Sequence, residues 1–215
     1  MSLWLAQLRL NPRSTDVRRD LRDAVSLHQR VMSLVPDGLG ADARQTAGVL
    51  YRVDETRTGS VVLIQARIEP DGGRLPPGYG DLDMRDLTPL VQALRPGTQV
   101  HYRLAANASK RVAKAEGRLK AGQVVALSGV EAGQWWQRQA TARGLALVTC
   151  FARPLPQARG ERRDGRRVNH SVTCFVGIAT VVDADLVRTA LAVGIGRGKS
   201  YGCGLLSLAP VRQPR

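Results

Sequence analysis

The chain's chemically suggestive residues fall in three places. The first is Gly194-Ile195-Gly196-Arg197-Gly198-Lys199-Ser200-Tyr201-Gly202-Cys203-Gly204. Glycine lacks the Cβ that would hold an anion off the backbone, and Arg197 and Lys199 attract one. The stretch therefore suits the phosphates of a nucleic acid. A plain glycine-rich turn is the simpler reading. Gly198-Lys199-Ser200 also invites comparison with a nucleotide-binding P-loop. That pattern needs glycine where Val193 stands, and it leads from strand to helix, whereas this loop leads from helix to strand. The second place runs from Arg159 to Arg167. Arg159, Arg162, Arg163, Arg166 and Arg167 face only Glu161 and Asp164, and Gly160 and Gly165 add turn character. Between two strand-like runs, this reads as a projecting basic hairpin that follows phosphates or enters a groove. A solvated loop is the plain alternative. The third is His28, whose ring sits at the acid–base balance of neutral pH. On a helical wheel it falls beside Ala24, Val31 and Val35, which favours an ordinary core histidine unless the helix edge opens onto a cleft.

The formal net charge of +14, from 32 Lys and Arg against 18 Asp and Glu, points to a polyanionic partner. Metal chemistry finds no obvious support. Asp81, Asp83 and Asp86 lack a partner set, and no CxxC pair exists among Cys150, Cys174 and Cys203. The odd number of thiols suits a reducing cytosol. No apolar run approaches the roughly 18 residues of a membrane span, so a cytoplasmic protein with neither metal nor cofactor is expected.

Elements able to position these groups follow from periodicity. Ser2 to Leu10 reads as a strand that Asn11-Pro12 ends. Asp16 to Val35 reads as one helix with Val17, Leu21, Ala24, Val31 and Val35 on its apolar stripe. Val49 to Val53 and Val61 to Glu69 read as strands, Pro70 to Gly80 as a connector, and residues 81–94 are ambiguous. Then Gln99 to Ala105 is strand-like, Gly133 to Arg143 helical, Leu145 to Ala152 and Val172 to Val182 strands, Asp183 to Val193 helical, and Leu205 to Leu208 a short strand. Trp135 and Trp136 read as core. Strands and single helices alternate in both halves, which predicts an α+β fold, two β-α-β-β-α-β units in tandem.

The stretch GIGRGKSYGCGLLSLAP (Gly194 to Pro210) resembles the signature of the CasE family of type I-E CRISPR systems. Tyr102-Arg103-Leu104-Ala105-Ala106-Asn107, followed by Lys110, is similar to a second family block, and Ser26-Leu27-His28-Gln29 matches the position of the family's histidine. The resemblance covers nearly the whole chain. It implies two ferredoxin-like domains, here residues 1–92 and 97–215. It implies metal-independent cleavage of CRISPR precursor RNA on the 3′ side of the repeat hairpin. It also implies retention of the product in the Cascade complex, beside other Cascade subunits. His28 carries over as the catalytic residue, with Lys199 stabilising charge. Arg197, Ser200, Asn107, Lys110 and the arginines from Arg159 to Arg167 carry over as RNA contacts. Some family members have a tyrosine three residues before the histidine, where this chain has Val25. The rival expectation is a non-catalytic scaffold that binds an RNA hairpin, with His28 in its core. A nucleotide-hydrolysing enzyme ranks behind both.

Overall fold

The first strand, β1 (Trp4–Leu10), alternates buried Ala6, Leu8 and Leu10 with exposed Gln7 and Arg9, as a strand with one face on a core must. It pairs antiparallel with β3 (Gly59–Ala66) on one side and β4 (Gly80–Asp86) on the other. Strand β2 (Leu50–Thr56) pairs with β3, giving the order β2-β3-β1-β4. This computed structural model describes residues 2–115, 117 and 120–211; Met1 and residues 212–215, at the ends of the two expected units, lie outside them.

Helices α1 (Thr15–Arg22), α2 (Ala24–Met32) and the short α3 (Ala43–Thr46) connect β1 to β2. The single helix expected over Asp16 to Val35 is therefore broken. Asp23 adopts an extended backbone (φ −129°, ψ 111°), and its Oδ1 accepts hydrogen bonds from the backbone N–H groups of Val25 (2.7 Å) and Ser26 (3.4 Å). Aspartate competes well for such a capping position. The two helices are re-joined by Asp20, which is 1% exposed. Arg30 of α2 donates to it at 3.0 Å, and the Tyr79 hydroxyl donates at 3.1 Å.

The second unit runs through α4 (Thr88–Gln92), β5 (Gln99–Ala106), β6 (Ser109–Arg111), β7 (Val124–Ala126), α5 (Gly129–Thr141), β8 (Leu145–Leu147), β9 (Phe151–Glu161), β10 (Arg167–Val181), α6 (Ala184–Val193) and β11 (Leu206–Pro210). Its sheet has the order β11-β5-β10-β8, and β9 pairs with the earlier part of β10. With β8 and β9 taken as one interrupted strand, both units share the strand order 4-1-3-2 of a ferredoxin-like fold. In the first unit a 3-10 turn (Gly72–Arg74) replaces the second helix. The strand expected over Leu145 to Ala152 is interrupted, and residues 81–94 divide between β4 and α4. The β6–β7 ribbon and the early start of α5 at Gly129 were not legible. One core gathers Leu8, Val31, Tyr51 and Ile64. The other gathers Trp135, Trp136, Phe175 and Val187, together with Val91 of α4. No helix among the described residues is long and apolar enough to cross a membrane.

The units meet along β2. Arg52, only 5% exposed, pairs with Asp54 at 2.9 Å and donates to Ser207 Oγ of β11 at 2.6 Å. Asp54 also holds Arg103 of β5 at 2.8 Å. Gln65 Nε2 donates to the carbonyl of Leu191 in α6 at 2.7 Å. One carboxylate thus neutralises two guanidinium groups, and removing it strands a buried charge. We expect Asp54→Ala to cost about 3–5 kcal/mol in urea unfolding. The double change Arg52→Met with Asp54→Leu should cost clearly less, because the buried guanidinium is removed with its partner and only the one-third-exposed Arg103 is left, to water. Equal losses would show that the pair is not the source of the stability.

Candidate nucleic-acid interface

Residues 194–204 join α6 to β11 and lie against the first unit. Gly198 and Gly202, both left-handed (φ 74° and 77°), bracket the 3-10 turn Lys199–Tyr201. Glycine takes that conformation at little cost. The turn is tied across the joint by Tyr51, whose hydroxyl donates to the carbonyl of Ser200 at 2.9 Å.

This brings Tyr201 beside α2. Its ring lies edge-on to His28, centroids 6.0 Å apart, and stacks on His170 of β10 at 5.6 Å with 27° between planes. Its hydroxyl accepts from Arg162 Nε at 2.9 Å. His28 is half-buried rather than sealed in the core, and its Nδ1 is buried without a hydrogen-bond partner. Nε2 is thus the nitrogen left to meet a ligand. Burial, then Arg44 and Arg162, lower its pKa to about 4. Burial, Arg44 and Arg143 likewise lower the pKa of the Lys199 amine. Neither group owes any of its shift to a carboxylate, so the cluster holds several cations and invites an external anion.

The arginine arm is the β9–β10 hairpin. Arg159 lies on β9 and Arg167 on β10, while Arg162, Arg163 and Arg166 occupy the turn, closed by Arg162 N–H to Arg166 O at 3.0 Å. The arm packs closely on α2 because Gly160 has no side chain: a Cβ there would stand 2.3 Å from Asp23 Oδ1 and 3.1 Å from Val25 Cγ2. The arm's arginines are exposed. Next to it, a cavity of about 300 Å³ lies between the units, with Leu27, Leu155 and Val172 in its lining, Arg22, Arg153 and Arg159 around them, and Tyr201 as a wall.

The structure thus groups His28, Lys199 and Arg162, with Ser200 entering through its backbone. Arg197 is exposed and forms a β-bridge with Asn107 across a second cavity. Asn107 is 6% exposed and its Nδ2 donates to Ser171 O at 2.8 Å. Lys110 of β6 pairs with Glu131 of α5 at 2.9 Å, outside the His28 group. Tyr201, Arg44 and His170 were not singled out from sequence. Tyr201 at least lies inside the glycine motif, whereas nothing in the spacing of Arg44 or His170 announces them. Among the described residues no group of three His, Cys, Asp or Glu could hold a metal ion.

The model of a family described as CRISPR associated protein matches residues 3–210. The CRISPR-associated endoribonuclease Cse3 of Thermus thermophilus is 32% identical, over 97% of this chain and all of the relative. The Cascade subunit CasE of Escherichia coli is 29% identical, over 88% of this chain and 94% of its own length. The structure of Thermus thermophilus Cse3 bound to an RNA representing a pre-cleavage complex superposes with a TM-score of 0.82, covering 98% of this chain and all of that one. The chain belongs to this family of CRISPR-associated proteins and is of the CasE type.

His28 gives the site a pH signature. Unfolded, it titrates at its ordinary 6.5; folded, at about 4. Between those values the unfolded chain holds more protons. The contribution of neutral His28 to stability is therefore complete above pH 6.5 and is lost as pH falls toward 4, by up to about 1.4 kcal/mol per pH unit. The His28→Gln variant should lose this part of the slope. Urea midpoints of both proteins between pH 7 and 4.5 test it; parallel curves would contradict a buried neutral ring.

Proposed function

We propose that this chain is a CRISPR repeat-processing endoribonuclease. It grips the repeat hairpin of the precursor RNA, cuts the backbone on the 3′ side of the stem, keeps the mature guide RNA, and joins other subunits in Cascade. Its work is cytoplasmic. The first unit supplies the histidine helix, and the second supplies the arm and the glycine loop. The observation that carries this reading is the meeting of His28, Lys199 and the base of an arginine arm around Tyr201, at the joint of two units.

The chemistry follows from the RNA itself. The 2′-hydroxyl oxygen attacks the adjacent phosphorus in line, and the bond from phosphorus to the 5′-oxygen breaks. The products are a 2′,3′-cyclic phosphate and a 5′-hydroxyl. A neutral imidazole takes the proton of the 2′-hydroxyl at Nε2, so the lowered pKa leaves His28 in the base form at cellular pH. The 5′-oxygen leaves with a proton from the medium or from the imidazolium so formed. Lys199 faces the extra negative charge that builds on the phosphorane oxygens. Arrival of the phosphate also offsets the field of Arg44 and Arg162, which raises the basicity of His28 when the substrate is in place. No step calls for a metal ion. The exposed arginines of the arm run along the phosphates of the stem.

His28→Ala should slow single-turnover cleavage by roughly 10²–10⁴ while hairpin affinity and melting temperature stay near wild type. Excess chelator should leave the wild-type rate unchanged. A variant that cuts at the normal rate removes His28 from the mechanism, and a rate lost to chelator and restored by magnesium refutes the metal-free route.

The arm sets the salt response. With six to ten phosphates engaged, affinity should fall by roughly 10³–10⁵ between about 50 and 200 mM salt. Replacing Arg162, Arg163, Arg166 and Arg167 together by Ala should flatten that slope. An unchanged slope would make the arm a solvated loop.

A further inference from the structure

The stacked pair of Tyr201 and His170 is a wall with a cavity on each side. Tyr201 lines the larger cavity, on the side of the arginine arm. His170 lines a second one of about 220 Å³, under the β6–β7 ribbon. His28 stands against Tyr201 itself. The wall separates the second cavity from the arm and from His28.

The lining of that cavity is of a different kind. Among the described residues Asn107, Ser109, Asn169 and Ser171 bring amide and hydroxyl groups, His170 an imidazole, Arg197 the one formal charge and no residue a carboxylate; Val124 and Ala126 of β7 complete it. Asn107 is nearly buried, and its Nδ2 bond to Ser171 O fixes the plane of the amide. Arg197 is held at the mouth by its backbone bridge to Asn107. Fixed amides and hydroxyls can read the edge of a base, and a guanidinium can hold the phosphate attached to it.

We propose that this cavity is a subsite for the single unpaired nucleotide immediately 3′ of the scissile phosphate, taking its base among the amides and its own 3′-phosphate at Arg197. The proposal rests on the RNA-cleaving reading above. It gives the protein a reason to distinguish an uncut transcript from its own product. The uncut strand fills both cavities, whereas the product fills only the one beside the arm. The downstream fragment, held by one nucleotide, is then released while the hairpin stays.

Binding alone tests this. Three RNAs are made with a 2′-deoxy sugar at the cut so that none is cleaved. One ends at the cut, one carries a single extra nucleotide there, and one carries an abasic residue in its place, the last two with a 3′-phosphate. The extra nucleotide should tighten binding to the wild-type protein by roughly tenfold, and the abasic residue should recover only part of this. Ala126→Trp, which fills the cavity from exposed β7, should bind the RNA that ends at the cut as wild type does and show no gain from the extra nucleotide. Equal binding of the first two RNAs by the wild-type protein, or a gain that survives Ala126→Trp, overturns the subsite. Failure of the RNA-cleaving reading looks different: the wild-type protein would leave the all-ribose hairpin with the extra nucleotide uncut, whatever the three affinities are.

Discussion

Everything at the site depends on the carboxylate of Asp54. It lies between Arg52 and Arg103 at the line where β2 of the first unit meets β5 and β11 of the second. His28 belongs to one unit, and Lys199 and Tyr201 belong to the other. Their spacing is therefore a property of the joint rather than of either sheet. Salt bridges at a surface contribute little, but this one is buried on the Arg52 side and has a fixed geometry. The Tyr51 hydroxyl bond to Ser200 lies one residue away on the same strand and extends the clamp to the glycine loop.

Around the site, the charge balance is left open. Arg30 and Arg19 are satisfied by Asp20, and Arg52 and Arg103 by Asp54. Among the described residues Lys199 and His28 have no such partner, and burial among arginines pushes both toward their neutral forms. Holding Lys199 and His28 beside arginines is unfavourable in the free protein. An anion brought from outside would relieve the arrangement and return both groups toward their charged forms.

Much of the architecture was readable from periodicity. The alternation in β1 and the apolar run of β10 mark strands, and Asp183 marks the start of α6, where its side chain accepts from Asp185 and Leu186 N–H groups. The basic arm was legible because glycine and arginine alternate between two strands. The break at Asp23 was not, since an aspartate on the polar side of a continuous helical pattern looks the same as one that caps a new helix. What separates them is the close approach of Gly160, a contact across more than a hundred residues. His28 looked like a core residue for a related reason. Its wheel position is apolar, and only the glycine loop arriving from the other unit turns that face into the wall of a cleft. Arg44, His170 and Tyr201 are defined wholly by such long-range packing.

The order of the site's parts along the chain has a consequence for synthesis. The helix with His28 leaves the ribosome early, the arginine arm much later, and the Lys199–Tyr201 turn close to the end of the described residues. The Tyr51 contact and the Tyr201 wall cannot form until that turn is free of the exit tunnel. A nascent chain thus exposes its basic arm before the packing around Tyr201 has formed.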